Sequence, residues 1–196
     1  RHQKMRYLRG VFLGCFFAAI LLGLPGRAQA EDVTTGLFTK DVPIELNADY
    51  LSYDKEKNTY FAKGNVVIVQ DKTTLGADSA IVDMSTGVAT AAGNVVVTDE
   101  GGNTVKSDSL TANMREKTIL LAKGRLFFKE EDIRITGSII SKTGKESYYF
   151  EDAAYTACDC EEDETPAWEF SAKKVNINVG EFLTGRHATF RIKGVP

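Results

Sequence analysis

The chain contains few of the side chains that usually build metal sites and catalytic centres. Its 196 residues include 2 histidines and 3 cysteines. His2 and Cys15 lie in the N-terminal leader described below, which leaves Cys158, Cys160 and His187. A zinc site built on the two cysteines would need two more ligands, and His187 has no nearby serine or cysteine in a nucleophile context. We therefore predict no enzyme, no metal site and no cofactor.

The chain also lacks the basic surface of a nucleic-acid-binding protein. Its formal net charge is −3, from 24 basic and 27 acidic residues. Five of the basic residues lie within the first 30 positions, so 19 basic and 27 acidic residues remain in the other 166. Without a basic stripe to displace counterions from phosphates, nucleic acid is excluded as a partner.

Residues 1–30 are typical of an export signal rather than of folded structure. Two arginines follow the first methionine, an apolar run covers residues 11–24, and the small residues at 28–30 supply a cleavage site. Because the apolar run is short for a membrane span, we predict that the protein is exported. Residues 31–42 are predicted to form a flexible lead-in.

Three stretches of the chain repeat one pattern. Their sequences are ADYLSYDKEKNTYFAKGNVVIV (48–69), ADSAIVDMSTGVATAAGNVVVT (77–98) and SDSLTANMREKTILLAKGRLFF (107–128). The aspartates Asp49, Asp78 and Asp108 recur 29 and 30 positions apart. A period near thirty residues indicates one supersecondary unit stacked on itself. Such a protein is better suited to forming a surface or a groove than a catalytic pocket.

The recurring aspartates admit two interpretations. Three carboxylates could form an acid–base cluster or a Ca²⁺ site. Their place at one position of a stacked repeat instead favours a structural role, in which each aspartate satisfies a turn. We adopt the structural interpretation.

Strand signals dominate the repeats. Runs of β-branched or aromatic residues, such as 66–69 and 95–97, follow a glycine in each copy. The turn-forming segments between them are 54–58, 85–87, 99–103 and 115–117. No apolar period of 3.6 residues is sustained after the leader, so the sequence predicts an all-β domain over 43–157. The glycines are predicted to mark bends where strands pass between two sheets.

Aligning the copies places apolar side chains together on the leading strand of each repeat. The stacked sets are Leu51 with Ala80 and Leu110, and Tyr53 with Val82 and Ala112. One face of this strand is therefore mostly apolar, although Ile81 falls on the other face. The alternation predicts a two-sheet sandwich or a twisted roll with an apolar interior.

The last part of the chain, residues 158–196, combines two cysteines, an acidic loop at 159–164 and terminal strands. A disulfide between Cys158 and Cys160 would be strained, so the partner of either is expected outside this chain or in another copy. Trp168 is interpreted as a core residue or as a plug at one end of the roll.

The repeated Asp…Gly-Asn-Val units resemble the OstA-like β-jellyroll domain shared by the lipopolysaccharide transport proteins. The stretch from Tyr155 to Cys158, Trp168 and the ending ATFRIKGVP (188–196) resemble the segment that leads into the outer-membrane barrel in the LptD branch of this family. The resemblance covers residues 43–196. It implies an OstA-like β-jellyroll, a twisted two-sheet roll of stacked antiparallel strands, as the N-terminal part of a longer protein.

The resemblance further implies a non-enzymatic role in lipopolysaccharide transport at the periplasmic face of the Gram-negative outer membrane. The domain would receive lipopolysaccharide from an LptA-like periplasmic bridge by edge-strand pairing, and an LptE-like lipoprotein would act through the missing barrel. Family disulfides join the jellyroll region to the barrel, and Cys158 matches the jellyroll cysteine. Its partner stays unassigned, and Cys160 has no clear counterpart in the family.

An apolar interior suits this role, because leaving acyl chains in water costs about 0.8 kcal/mol per CH₂. The residues predicted to line a lipid groove are Ile44, Leu46, Leu51, Tyr53, Val66, Ile68, Val82, Val95, Val97, Leu110, Leu126 and Phe128. The same residues could form an ordinary sandwich core, since any β domain must bury such a face. Two alternatives remain: a free-standing LptA-like bridge protein, and a structural β-solenoid with no ligand.

Overall fold

The computed structural model describes residues 42–158, 164–179 and 181–196, and they form twelve β-strands. The predicted export signal, nearly all of the lead-in, and Cys160 with most of the acidic loop lie outside the described residues. The strands are β1 (Ile44–Asn47), β2 (Tyr50–Asp54), β3 (Thr59–Gln70), β4 (Thr73–Asp83), β5 (Val88–Thr98), β6 (Thr104–Asn113), β7 (Thr118–Phe128), β8 (Ile133–Lys142), β9 (Ser147–Ala157), β10 (Trp168–Asn178), β11 (Phe182–Arg186) and β12 (Thr189–Ile192). No helix in the described part of the chain is long and apolar enough to cross a membrane.

All pairings between the strands are antiparallel, and β3 to β11 follow one another in sequence order across a single sheet. At one end, β1 and β2 pair with different halves of β3. At the other end, β12 and β11 pair with different halves of β10. The predicted all-β fold of stacked antiparallel strands is confirmed. The two sheets predicted from the sequence correspond to the two halves of one continuous sheet.

The two halves cover each other. Val97 and Val105 are completely buried, although the described residues contain no element other than the sheet that could cover them. Side chains from both halves of the long strands, such as Ala91 and Val97 of β5, join one hydrophobic cluster. The sheet is therefore folded over on itself, with its inner face as the core.

The bends between the halves lie at the repeated glycines. Gly64 and Asn65 both have positive φ, of 76° and 46°, and Gly93 and Asn94 repeat this with 76° and 47°. The pairing register shifts by one residue beside each pair, which identifies both as β-bulges. At the third repeat the positive φ moves to Lys123, and the register does not shift. The predicted bends are confirmed at Gly64 and Gly93.

The turns at the far end of the sheet are also repeated. Asp54, Asp83 and Asn113 each accept hydrogen bonds through Oδ1 from the backbone N–H groups two and three residues later, at 2.7–3.1 Å. The N–H of Thr86 is the largest cause that lowers the pKa of Asp83. Turn residues have no cross-strand backbone partners, and these side-chain hydrogen bonds satisfy their N–H groups instead. The turn positions predicted from the sequence are confirmed.

The core follows the register of the repeats. One inner row runs across the sheet as Leu51, Ala62, Ala80, Ala91, Leu110, Leu121, Ile140, Phe150 and Val175. The predicted stacking of Leu51, Ala80 and Leu110 is confirmed. Ile81 lies on the outer face and is exposed, as expected from its place in the alternation.

Candidate functional site

The candidate site is the inner face of the folded sheet. The twelve predicted groove residues lie on this face: eleven are buried or are joined by cross-strand pairs to a buried residue, which for Ile44 is Gln70, and Phe128 packs against the main core cluster. Leu51 lies opposite buried Ala62, for example, and Leu126 lies opposite buried Val105. The alternation read from the sequence therefore assigned the correct face at every one of these positions.

Exposure divides the twelve residues into three groups. Val66, Val95, Val97 and Leu110 are fully enclosed, with at most 2% of their surface exposed. Leu46, Ile68, Val82, Leu126 and Phe128 are partly buried. Ile44, Leu51 and Tyr53 are exposed. The first group belongs to a packed centre, and the third lies at the N-terminal end of the inner face.

The N-terminal end of the inner face is an exposed aromatic and aliphatic surface. The rings of Tyr53 and Tyr60 lie 4.6 Å apart across the β2–β3 pair. The Tyr53 hydroxyl donates to Asn58 Oδ1 at 2.9 Å, which holds the ring in place. Tyr60 is a site residue that the sequence reasoning missed, although its position two residues before Ala62 places it in the same alternation.

The C-terminal end of the inner face is exposed in the same way. Leu183 pairs with Ile177 in β10, and Ile192 pairs with Trp168. The exposed apolar residues at this end are Val179, Leu183, Phe190 and Ile192. None of them was predicted as a groove residue, although the alternation of Val175, Ile177 and Val179 carried the signal.

Trp168 lies on this end of the inner face and is partly buried. Its ring centroid lies 5.6 Å from that of Tyr155 and 6.1 Å from that of Phe190. The carbonyl oxygen of Trp168 accepts a hydrogen bond from Thr156 Oγ1 at 2.7 Å. Trp168 therefore joins an aromatic group at one end of the core, as the sequence suggested.

The inner face contains a buried serine with an unsatisfied hydroxyl. Ser107 is buried beside Val95, and its hydroxyl is a buried side-chain group without a hydrogen-bond partner in the described part of the chain. The first two repeats have Ala48 and Ala77 at this position. The buried members of the main hydrophobic cluster are Ala, Val, Leu, Ile and Phe side chains, and the other buried polar residues in the described part of the chain are Thr59, Gln70, Thr73 and Thr156.

The repeated aspartates have a structural role. Asp49 accepts a hydrogen bond from Asn65 Nδ2 at 2.9 Å, and Asp78 accepts the equivalent bond from Asn94 at 3.0 Å. In the third repeat, Asp108 instead pairs with Lys123 at 2.6 Å, and this contact raises the pKa of Lys123. The first two carboxylates thus brace the bends, and the third forms an ion pair, which agrees with the predicted structural role.

The remaining singled-out residues lie away from the inner-face centre. His187 is exposed and has a positive φ of 52°. Cys158 is disulfide-bonded within this chain, so the expectation of a partner outside the chain or in another copy was wrong. The Cys158 carbonyl accepts a hydrogen bond from Arg134 Nη1 at 3.3 Å. Among the described residues, no three His, Cys, Asp or Glu side chains converge as metal ligands would.

This arrangement can bind apolar ligands. The inner face offers a hydrocarbon surface that is closed at the centre and open to solvent at both ends. Large apolar side chains exposed together usually mark a surface that meets a ligand or another protein. The chemistry available on the inner face is burial of hydrocarbon, without charged groups along its central row.

The sequence of this chain is similar to those of known proteins. The family described as LptA/(LptD N-terminal domain) LPS transport protein matches residues 45–181. The LPS-assembly protein LptD of Vibrio cholerae is 31% identical over 156 residues, which cover 79% of this chain and 19% of the relative. LptD of Aliivibrio fischeri is 27% identical over 155 residues, with the same two coverages. The chain thus spans about a fifth of the length of these curated relatives.

A solved structure also matches. The crystal structure of LptH, described as the LptA homologous periplasmic component of the lipopolysaccharide transport device from Pseudomonas aeruginosa, has a TM-score of 0.46 and 16% sequence identity. The match covers 52% of this chain and 76% of that chain.

Proposed function

Because the chain belongs to the LptA/(LptD N-terminal domain) LPS transport protein family, we propose that its inner face carries the acyl chains of lipopolysaccharide. The proposed place of action is the periplasmic face of the Gram-negative outer membrane. The activity is a non-enzymatic transfer, in which the protein shields hydrocarbon from water and passes it onward.

The observation that supports this proposal most directly is the exposure pattern of the inner face. Apolar side chains continue past the enclosed centre to Tyr53 at one end and to Leu183 at the other, where they are 48% and 40% exposed. Contiguous patches of exposed apolar side chains are uncommon on soluble proteins and usually mark a surface that meets a ligand or another protein. Exposed ends on one continuous face suit a ligand that enters at one end and leaves at the other.

The packed centre sets a condition on transport. Val97 and Val105 have no exposed surface, so an acyl chain can pass between the halves of the sheet only if they separate locally. Each CH₂ group that is moved out of water returns about 0.8 kcal/mol. We propose that acyl chains replace contacts between the two halves as they pass, which keeps the apolar surface covered throughout.

Edge-strand pairing is the proposed route of delivery. Among the described residues, β1 and β2 pair only with β3, so their outer backbone groups face away from the sheet. An unpaired edge can accept a strand from another protein by antiparallel or parallel addition. An LptA-like bridge that paired here would extend the inner face into one longer surface. Delivery would then proceed from the N-terminal end toward β11 and β12.

We propose that the exposed residues at the C-terminal end pass lipopolysaccharide to the barrel implied by the family resemblance. An LptE-like lipoprotein would act through that barrel rather than through the inner face. The two exposed ends then have different roles, one in receiving and one in releasing the lipid.

Site-specific photocrosslinking tests the acyl-chain proposal. A photoreactive phenylalanine analogue at Tyr53 or Leu183 is expected to capture lipopolysaccharide in cells. The matched controls are Ile81 and Leu120, which are 44% and 45% exposed but lie on the outer face. Because exposure is similar, a difference in capture reports the face alone. Equal capture from both faces, or none from Tyr53 and Leu183, would overturn the proposal.

A further inference from the structure

A cluster of cations lies on the outer face of the sheet, on the opposite side from the proposed lipid surface. Lys106 in β6 pairs directly with Arg125 in β7, and Arg125 pairs with Thr136 in β8. Two residues away along the same strands, and on the same face, Thr104 pairs with Phe127, and Phe127 pairs with Arg134. These residues, together with Leu126, line an open pocket of about 490 Å³. We call it the outer-face basic pocket.

The positive charge is confined to one part of this outer row. The same row on the earlier strands consists of Val67, Gly76 and Val96, which are joined in turn by cross-strand pairs up to Lys106. Like charges directly opposite each other destabilise a sheet. Lys106 and Arg125 are such a directly opposed pair, in a domain whose other charges are predominantly acidic. An anion bound between them would add its attraction to the interactions that each cation already makes within the chain.

Arg134 is held in a defined orientation at the edge of the pocket. Its guanidinium lies 5.3 Å from the centroid of the Phe127 ring. Nη1 donates to the Cys158 carbonyl at 3.3 Å, and Nη2 lies 3.7 Å from Asp132 Oδ1. A guanidinium fixed in this way loses less conformational entropy when it binds an anion than a freely rotating one.

The chemistry of the pocket matches a phosphate group. Lys106 and Arg125 together carry two positive charges, which match a phosphate dianion better than the single negative charge of a carboxylate. The planar guanidinium groups suit bidentate contacts to phosphate oxygens, and the hydroxyls of Thr104 and Thr136 can donate to the remaining oxygen. Lys106, Arg125 and Arg134 also take part in further interactions within the chain, so a bound phosphate would compete for them.

We propose that the outer-face basic pocket binds a phosphate group carried on a sugar or on a lipid headgroup. The site is separate from the inner face, and it goes beyond the proposed transport of acyl chains. Its occupancy does not require hydrocarbon binding, so the two proposals can fail independently.

Titration of the purified protein tests the proposal, with glucosamine 1-phosphate as the sugar-phosphate probe and vesicles containing phosphatidic acid as the lipid probe. Calorimetry and vesicle sedimentation measure the two arms. Saturable binding in either arm, with amide resonance shifts at Lys106 and Arg125, is expected. Binding in only one arm identifies the source of the phosphate. Failure to saturate in both arms would overturn the proposal.

The double variant K106Q/R125Q is expected to weaken binding at least about tenfold, the factor that follows from losing a charge-assisted hydrogen bond. The control K55Q/K57Q removes the same charge from an exposed turn at the other edge of the repeats and should bind as the parent does. R125K keeps the charge without the bidentate fork and should bind with intermediate affinity. Equal weakening of phosphate binding in the control would show that general charge attraction holds the ligand, and would overturn the proposed site.

Discussion

Asp78 and Asn94 lie on neighbouring strands, and the amide of Asn94 donates to the Asp78 carboxylate at 3.0 Å. The bond spans the bend at Gly93, whose φ is +76°. Asp49 and Asn65 form the same bond one repeat earlier, at 2.9 Å. A side chain that braces a left-handed backbone explains why the aspartate recurs with the period of the fold rather than with the spacing of a catalytic site.

Replacing Gly93 by alanine tests this brace. A Cβ at Gly93 would stand 2.8 Å from Asp78 Cβ and would need a positive φ. We expect G93A to lower the free energy of unfolding by about 1–3 kcal/mol in urea denaturation. The control is G76A, because Gly76 lacks the positive φ and an added Cβ there would have its nearest neighbour at 4.0 Å. Equal effects of the two variants would contradict the role assigned to the bend.

Two adjacent leucines test which face is the core. Leu121 is 2% exposed in the centre, whereas Leu120 lies on the outer face. We expect L121A to cost about 2–5 kcal/mol of unfolding free energy, because it removes buried methyl groups and leaves a cavity. L120A should change it by less than about 0.5 kcal/mol. Thermal or urea denaturation measures both, and a larger effect of L120A would reverse the assignment of the faces.

Ser107 offers a stabilising substitution. Its hydroxyl is buried beside Val95 without a described hydrogen-bond partner. Alanine, which the first two repeats carry at this position, should raise the free energy of unfolding by about 1 kcal/mol. T156V is the opposite control, because Thr156 donates to the Trp168 carbonyl at 2.7 Å and its loss should destabilise the fold. A less stable S107A would show that the hydroxyl has a partner.

The ion pair between Lys173 and Asp152 predicts a pH dependence at both extremes. Lys173 Nζ donates to Asp152 at 2.6 Å, and Ser138 Oγ donates to the same carboxylate. The contact lowers the pKa of Asp152 and raises the pKa of Lys173. Its stabilisation is present above about pH 3.9 and is lost as the pH falls through the folded pKa of Asp152. It is likewise present below about pH 10.4 and is lost as the pH rises through the folded pKa of Lys173.

The variant D152N removes both halves of this dependence. Its unfolding free energy should change less than that of the parent between pH 4 and 2, and again above about pH 10.4. Denaturation midpoints measured across the pH range compare the two proteins. Parallel curves would mean that the exposed pair contributes nothing measurable, as many surface pairs do.

Predictions from the sequence were most successful where a residue's role depends on local geometry. The turn residues, the bends at Gly64 and Gly93, and the inward direction of Val66 or Leu110 all follow from side-chain alternation and positive φ. The repeat multiplied each signal, since one position could be checked in three copies. The face of every predicted groove residue was therefore assigned correctly.

Burial was harder to predict, because it depends on what covers a side chain. Tyr53 and Val66 are both apolar inner-face positions, yet one is half exposed and the other is enclosed. Tyr60, which lies on the same strand as Val66, is 38% exposed, so burial of the inner face changes along a single strand. The exposed group at the other end, including Leu183 and Phe190, was overlooked because its strands do not follow the repeat.

The sequence by itself determined the period, the turns, the bends and the choice of inner face, because each depends on backbone preferences within about thirty residues. Tertiary structure decided that one sheet folds over on itself and that its centre closes while its ends stay open. It also decided that Lys106, Arg125 and Arg134 meet on the outer face. Those features depend on pairing between strands that are distant in the chain, where register, rather than local preference, determines which side chains become neighbours.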